Sequence, residues 1–112
     1  MVIDVLSASR SDIVKWIRYC LSKHSIRLRK KLSQVMLVHP RAYRKIVSAV
    51  KNNIGSAKNA TVVEIGAGLG TLTSALAGTV NAYVIAIEVD KRFAEILKEV
   101  QEHFYNVDIV IG

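Results

Sequence analysis

Cysteine and proline are almost absent from this sequence, with one residue of each among 112. The single cysteine, Cys20, cannot form an intrachain disulfide, and no Cys/His cluster has the spacing of a zinc site. No apolar run approaches the roughly 18–20 residues of a membrane span, and Asp4 and Arg10 interrupt the stretch where a signal sequence would be apolar. Disulfide-rich secreted scaffolds and zinc modules are therefore excluded, and we expect a soluble cytoplasmic protein without metal.

Acidic side chains are scarce in the first half of the chain. Residues 1–51 hold 12 Lys and Arg but only Asp4 and Asp12, a net charge of +10, whereas residues 52–112 carry −3. Because neutralised phosphates release condensed counterions, polyanions are the expected partners of the basic N-terminal arm. A solvated charged surface has the same composition, so charge alone does not decide between the two interpretations.

The densest run of positive charge consists of Arg27, Arg29, Lys30 and Lys31. No aromatic residues alternate with these four for base stacking, so we predict that they contact phosphates rather than base edges.

Apolar periodicity predicts two helices, followed by alternating strands and helices. The first helix begins near Asp12 with Ser9 or Ser11 as its cap, and the second has Pro40 in its first turn. Three later apolar runs have the composition of parallel strands, and helical patterns separate them. These runs are residues 61–65, 83–87 and 107–111, with helices at 71–77, ended by Gly78, and after the cap Asp90.

This order predicts an α/β fold, an incomplete Rossmann-like sheet of about three parallel strands preceded by two N-terminal helices. We expect the run from Tyr83 to Ile87 to be buried on both faces, and Trp16, Phe93 and Phe104 to be core aromatics with Tyr83. A doubly wound sheet usually has five or more strands, so we interpret the chain as the N-terminal portion of a longer enzyme.

A glycine-rich loop follows the first predicted strand, in the segment Glu64-Ile65-Gly66-Ala67-Gly68-Leu69-Gly70. Glycines there let the backbone turn tightly and let a ligand approach the peptide groups. A dinucleotide-binding pattern would need a glycine at Thr71, and no Gly-Lys-Ser/Thr follows as in a phosphate loop. An acid two positions before the first glycine is more typical of S-adenosylmethionine (SAM) sites, although a purely structural turn is the alternative.

Glu88 ends the second predicted strand, eighteen residues after Gly70. A carboxylate at that place can accept hydrogen bonds from both ribose hydroxyls of a nucleoside. Val89 would offer an apolar face to adenine, whereas Asp90 is better suited to capping the next helix.

In combination these stretches resemble the SAM-dependent rRNA adenine dimethyltransferases and their erythromycin-resistance relatives. The family pattern runs from Leu-Gly-Gln-Asn/His-Phe-Leu through Glu-Ile-Gly-x-Gly-x-Gly-x-Leu-Thr to Ala-Ile-Glu-x-Asp. The corresponding stretches are Lys31 to Leu37, Glu64 to Thr73 and Ala86 to Asp90. The resemblance covers about residues 29–112, and the helix before it is similar to N-terminal extensions of archaeal members.

The resemblance implies a SAM-dependent rRNA adenine-N6 dimethyltransferase that acts on small-subunit rRNA during ribosome biogenesis, with SAM as its cofactor. It implies SAM contacts at Leu37, Gly66 and Glu88, and Gln34 matches the Gln of the family's opening motif. Together with the glycine loop and the strand end, the predicted cofactor-binding residues are Gln34, Leu37, Glu64, Gly66, Gly68, Gly70, Glu88 and Val89. Val35 and Met36 depart from the family's Asn or His and its aromatic residue. The family's catalytic Asn-Leu/Ile-Pro-Tyr/Phe motif is expected beyond Gly112, so we predict no catalytic residue in these 112 residues and no activity from them alone.

Two segments are expected: a basic helical arm with the cofactor-lip segment at residues 1–38, and the N-terminal half of a Rossmann-like SAM-binding domain at 39–112. We also expect self-association through the open edge of the short sheet. Two alternatives stay open, a non-catalytic RNA-binding module with a vestigial nucleotide pocket and a SAM methyltransferase with a non-RNA substrate. The basic arm and the segment from Lys31 to Leu37 favour RNA over the second alternative.

Overall fold

The computed structural model describes residues 2–29 and 36–112. In chain order the elements are α1 (Arg10–Lys23), α2 (Pro40–Ile54), β1 (Thr61–Ile65), α3 (Thr71–Thr79), β2 (Tyr83–Glu88), a 3₁₀ turn (Lys91–Phe93), α4 (Ala94–His103) and β3 (Val107–Ile111). All three predicted strands are present, and the described part has two helices before the first of them. In these residues no helix is both long enough and apolar enough to span a membrane.

Within the described residues the three strands form one parallel sheet in the order β1-β2-β3. Val62 pairs with Val84, which in turn pairs with Val107. Each crossover between successive strands contains a helix, as parallel pairing requires. The prediction of an incomplete Rossmann-like α/β sheet is therefore confirmed, and the carboxyl ends of all three strands meet at one edge.

One face of the sheet is closed by helices. Val84 and Ala86 on β2 are fully buried, and so is Leu97 of α4. Helix α1 belongs to the same apolar cluster through Ile13 and Trp16, which confirms Trp16 as a core residue. The Oγ atom of Ser9 accepts a hydrogen bond from the Asp12 amide at 3.1 Å, so the cap of α1 is Ser9 rather than Ser11.

The opposite face of the sheet is largely uncovered by the described residues. Ile65 is 77% exposed and Val63 56%. The expectation that residues 83–87 are buried on both faces was wrong, because Tyr83, assigned to the core, is exposed and Ile85 is only half-buried. Strand composition predicts which residues suit an interior, but the elements that cover them lie elsewhere in a chain.

Two local boundaries also differ from the sequence prediction. Gly78 does not end α3, which continues to Thr79, because the Val80 amide still donates to the Leu76 carbonyl at 2.9 Å. Asp90 does act as a cap, but of the 3₁₀ turn before α4, where its carboxylate accepts from the Arg92 amide at 3.0 Å.

Candidate cofactor site

An open cavity of about 260 Å³ lies at the carboxyl edge of the sheet. Six residues predicted to contact a cofactor line it, namely Leu37, Glu64, Gly66, Gly68, Glu88 and Val89. They come from the ends of β1 and β2, from the glycine loop and from the segment before α2. Parallel topology explains the juxtaposition, since the ends of adjacent parallel strands and the loops after them share one edge.

The glycine loop turns back over the end of β2. Its backbone has a left-handed conformation at Gly66 (φ 81°) and Gly68 (φ 58°), which side chains disfavour. The amides of Gly66 and Ala67 both donate to the Ile87 carbonyl, at 2.8 and 3.1 Å. A Cβ atom built on Gly66 would meet no other atom within 4 Å, so the backbone there is open to a ligand.

Gly70 is not brought into this cavity. It precedes α3 with φ 78°, and a Cβ atom at this position would lie 2.8 Å from Cγ2 of Val100. Its place in the structure is a close approach between the loop and α4. The glycine pattern alone does not separate this packing role from contact with a ligand.

Glu88 is buried, with 5% of its surface exposed, and its carboxylate is held from both sides. Oε1 accepts a hydrogen bond from the Gly68 amide at 2.7 Å, and Oε2 accepts one from the Asp90 amide at 2.8 Å. A carboxylate oxygen has two lone pairs, so each keeps one for a further donor. The structure thus presents an oriented, acceptor-only group to the cavity.

Glu64 has a different environment, although it also points from a strand end. It is half-buried, and the Thr73 hydroxyl donates a hydrogen bond to its Oε1. Burial, with a smaller contribution from the charge of Glu88, raises the pKa of Glu64 to about 7 against the lowering effect of the Thr73 bond. A cation placed beside it would favour the ionised form.

The basic run begins next to this edge. Arg92 forms an ion pair with Asp90, in which Nη2 donates to Oδ2 at 2.6 Å. Its Nη1 donates to the Arg27 carbonyl at 2.7 Å. Arg27 and Arg29 are exposed. The remaining predicted residues Gln34, Lys30 and Lys31 lie outside the described residues.

Sequence reasoning missed two features of this region. Tyr43 of α2, which is not among the predicted cofactor-binding residues, lines the cavity together with Thr71. On the outer side of α2, Arg41, Arg44 and Lys45 line a shallow groove. The i, i+3, i+4 spacing of these three cations was a readable signal. Across the described residues, no three Cys, His, Asp or Glu side chains come together as metal ligands.

Comparisons with known proteins agree on a methyltransferase fold. The ribosomal RNA small subunit methyltransferase A of Thermotoga petrophila is 43% identical over 89 residues, which are 80% of this chain and 32% of that protein. Among solved structures, a SAM-dependent methyltransferase from Methanococcus maripaludis has 30% identity and a TM-score of 0.52, over 62% of this chain and 33% of that one. A protein from Pyrococcus horikoshii titled as an RNA methyltransferase has a TM-score of 0.62 at 24% identity, over 77% and 42% of the two chains, and shows the fold alone.

The chain spans about a third of the length of the curated relatives it matches. The family model for ribosomal RNA adenine dimethylase matches residues 25–111. That range contains the whole sheet and every described residue that lines the cavity. This chain belongs to the ribosomal RNA adenine dimethylase family.

Proposed function

We propose that this chain is the SAM-binding portion of a SAM-dependent rRNA adenine-N6 dimethyltransferase that acts on small-subunit rRNA. The observation that carries the proposal is the Glu88 carboxylate, which two backbone amides orient into a cavity lined by the glycine loop. A buried acceptor at this place suits a nucleoside ribose. The family to which the chain belongs supplies the reaction class.

Different residues around the cavity contact different parts of SAM. Glu88 accepts hydrogen bonds from the ribose hydroxyls, and exposed Val89 at the rim packs against adenine. The open backbone at Gly66 allows close approach of the ligand, and Glu64 supplies negative charge for a ligand that is cationic. SAM, when bound, supplies the methyl group. Since the chain spans about a third of its relatives, we expect these 112 residues to bind SAM without transferring that methyl.

We propose ribosomal RNA as the substrate and the cytoplasm as the location of the protein. Arg92 pairs with Asp90 and also donates to the Arg27 carbonyl. These contacts hold the start of the basic run beside the carboxyl edge of the sheet. A phosphate bound by Arg27 would therefore lie near the methyl donor, and we propose that Arg29, Lys30 and Lys31 also bind RNA phosphates. Replacing all four residues with Ser should weaken binding to unrelated RNAs about equally. The slope of log affinity against log salt concentration should become shallower by ~0.7 per lost contact on single strands.

Calorimetric titration of the 112-residue chain with S-adenosylhomocysteine tests the proposed cofactor site. The unsubstituted chain should bind one equivalent, and Glu88→Ala should weaken binding by ~1–3 kcal/mol, because the ribose hydroxyls lose a charged acceptor. Glu102→Gln, an exposed acid on α4, is the matched control and should bind as the unsubstituted chain does. RNA binding without any S-adenosylhomocysteine binding would instead support a non-catalytic module.

Self-association is part of the proposal. Strand β1 is an edge strand of the sheet, and next to that edge Val63 and Ile65 expose apolar surface. An unpaired edge beside an exposed apolar face favours pairing with a second copy.

A further inference from the structure

The phenol of Tyr43 connects two walls of the cofactor cavity. Tyr43 is 2% exposed, although it lies in the first turn of α2 and carries a polar group. Its Oη is 2.7 Å from the Leu37 carbonyl oxygen and 2.8 Å from the Thr71 hydroxyl. Both partners line the cavity, Leu37 before α2 and Thr71 at the first position of α3.

The directions of these two hydrogen bonds follow from the chemistry of the groups. A carbonyl oxygen only accepts, so the single phenolic hydrogen of Tyr43 is donated to Leu37. The Thr71 hydroxyl must then donate to the lone pair of Tyr43 Oη. The result is a directed chain from Thr71 through Tyr43 to the Leu37 backbone, in which each bond polarises the next.

These two hydrogen bonds connect two segments that are far apart in the sequence, one at Leu37 and the other at Thr71. Thr71 follows the glycine loop directly, and Leu37 belongs to the segment of residues 36–39 that faces the loop across the cavity. Met36 approaches the loop closely, since a Cβ atom on Gly68 would lie 3.8 Å from its Cε. The separation of these walls determines the width of the cavity.

We propose that Tyr43 is a positioning residue, whose hydroxyl latches residues 36–39 to the first turn of α3 and so sets the cavity width for SAM. The proposal rests on the proposed function, because it assigns the cavity to SAM. Burial raises the pKa of Tyr43, and so does the nearby charge of Glu64, so the hydroxyl keeps the proton that it donates. Tyr43 contributes no chemistry to the transfer of a methyl group.

Tyr43→Phe tests the latch, because it keeps the packed ring and removes only the hydroxyl. We expect the affinity of the 112-residue chain for S-adenosylhomocysteine to fall about tenfold, as for the loss of one buried hydrogen bond. Thr71→Val should produce a similar loss, whereas Thr71→Ser keeps the hydroxyl and should retain the affinity. Tyr105→Phe, at a residue that is 97% exposed and outside the cavity lining, is the matched control.

Two further measurements separate positioning from general stability. The double variant Tyr43→Phe/Thr71→Val should bind no more weakly than either single variant, because each single change already breaks the connection between the two walls. Amide hydrogen exchange should accelerate in Tyr43→Phe at Ala42, whose amide donates to the His39 carbonyl at 3.0 Å, and stay unchanged in β2.

Each outcome bears on a different claim. If the unsubstituted chain binds S-adenosylhomocysteine and Tyr43→Phe binds it equally well, the latch is wrong and the proposed function stands. If the unsubstituted chain does not bind, the proposed function fails, and amide exchange at Ala42 still tests the latch. Should Tyr43→Phe not fold, the comparison of Thr71→Val with Thr71→Ser decides.

Discussion

The two faces of the sheet are built from alternate residues of the same strands, yet their environments are opposite. On the closed face, Val84 and Ala86 are buried by helices and Glu88 is held by backbone amides. On the open face, the apolar side chains of Val63 and Ile65 remain exposed. The closed face contributes to both the core and the candidate binding site, whereas the open face has apolar side chains that no described element covers.

The largest contrast between the faces should be in stability. Leu97→Ala removes a fully buried side chain of α4 from the closed face and should lower the free energy of unfolding by ~3–5 kcal/mol. Ile65→Ala, on the open face, should change it by about 0.5 kcal/mol or less. Urea unfolding of both variants, at concentrations low enough for the monomer to dominate, measures the difference, and equal losses there would show that the open face is covered within a single chain.

The open face should dominate self-association. Val63→Thr with Ile65→Thr keeps β-branched side chains and strand propensity while it removes apolar surface. Sedimentation should show dimers or larger species for the unsubstituted chain and a shift towards monomer for this double variant, with the stability nearly unchanged. A monomeric unsubstituted chain would contradict the proposed self-association.

On the closed face, Glu64 gives a smaller effect that depends on pH. Because its folded pKa of about 7 lies above the ordinary value of 4.5, the stability contributed by its protonated form is complete below pH 4.5 and is lost as the pH rises through 7. S-adenosylhomocysteine carries an ammonium group, which favours ionised Glu64. Affinity should therefore rise by up to about tenfold between pH 6 and 8.

Glu64→Gln is the control for this titration, since it keeps the size of the side chain and a hydrogen-bond acceptor for Thr73. It should abolish most of the rise in affinity between pH 6 and 8. A slope that persists in this variant would assign the pH dependence to another group.

How much of this fold could be predicted depends on the range over which each feature is determined. The strand at residues 61–65 and the acid at Glu88 were readable, because β-branched runs and strand-end carboxylates are local patterns. The bond between Tyr43 and Thr71 joins positions 28 residues apart, so no local pattern reveals it. Gly70 belongs to a readable local pattern, but the structure requires a glycine there because a Cβ atom would collide with Val100 of α4. That contact joins distant positions, so the local pattern does not reveal it.

The exposure of Tyr83 has a similar origin. Its strand is apolar enough for burial on both faces, and composition cannot tell whether the described helices reach the second face. The division at residue 38 into arm and cofactor domain stays a prediction, although side chains of α1 share the apolar cluster of the sheet.

The central claim is that the carboxyl edge of the sheet binds SAM, and an NMR titration of the amide resonances with S-adenosylhomocysteine tests it most directly. We predict saturable shifts at Gly66, Gly68 and Asp90, whose amides border the Glu88 carboxylate or the open loop, and little change at residues of the second cavity beside Phe104. Shifts confined to that second cavity, or none at the glycine loop, would contradict the account.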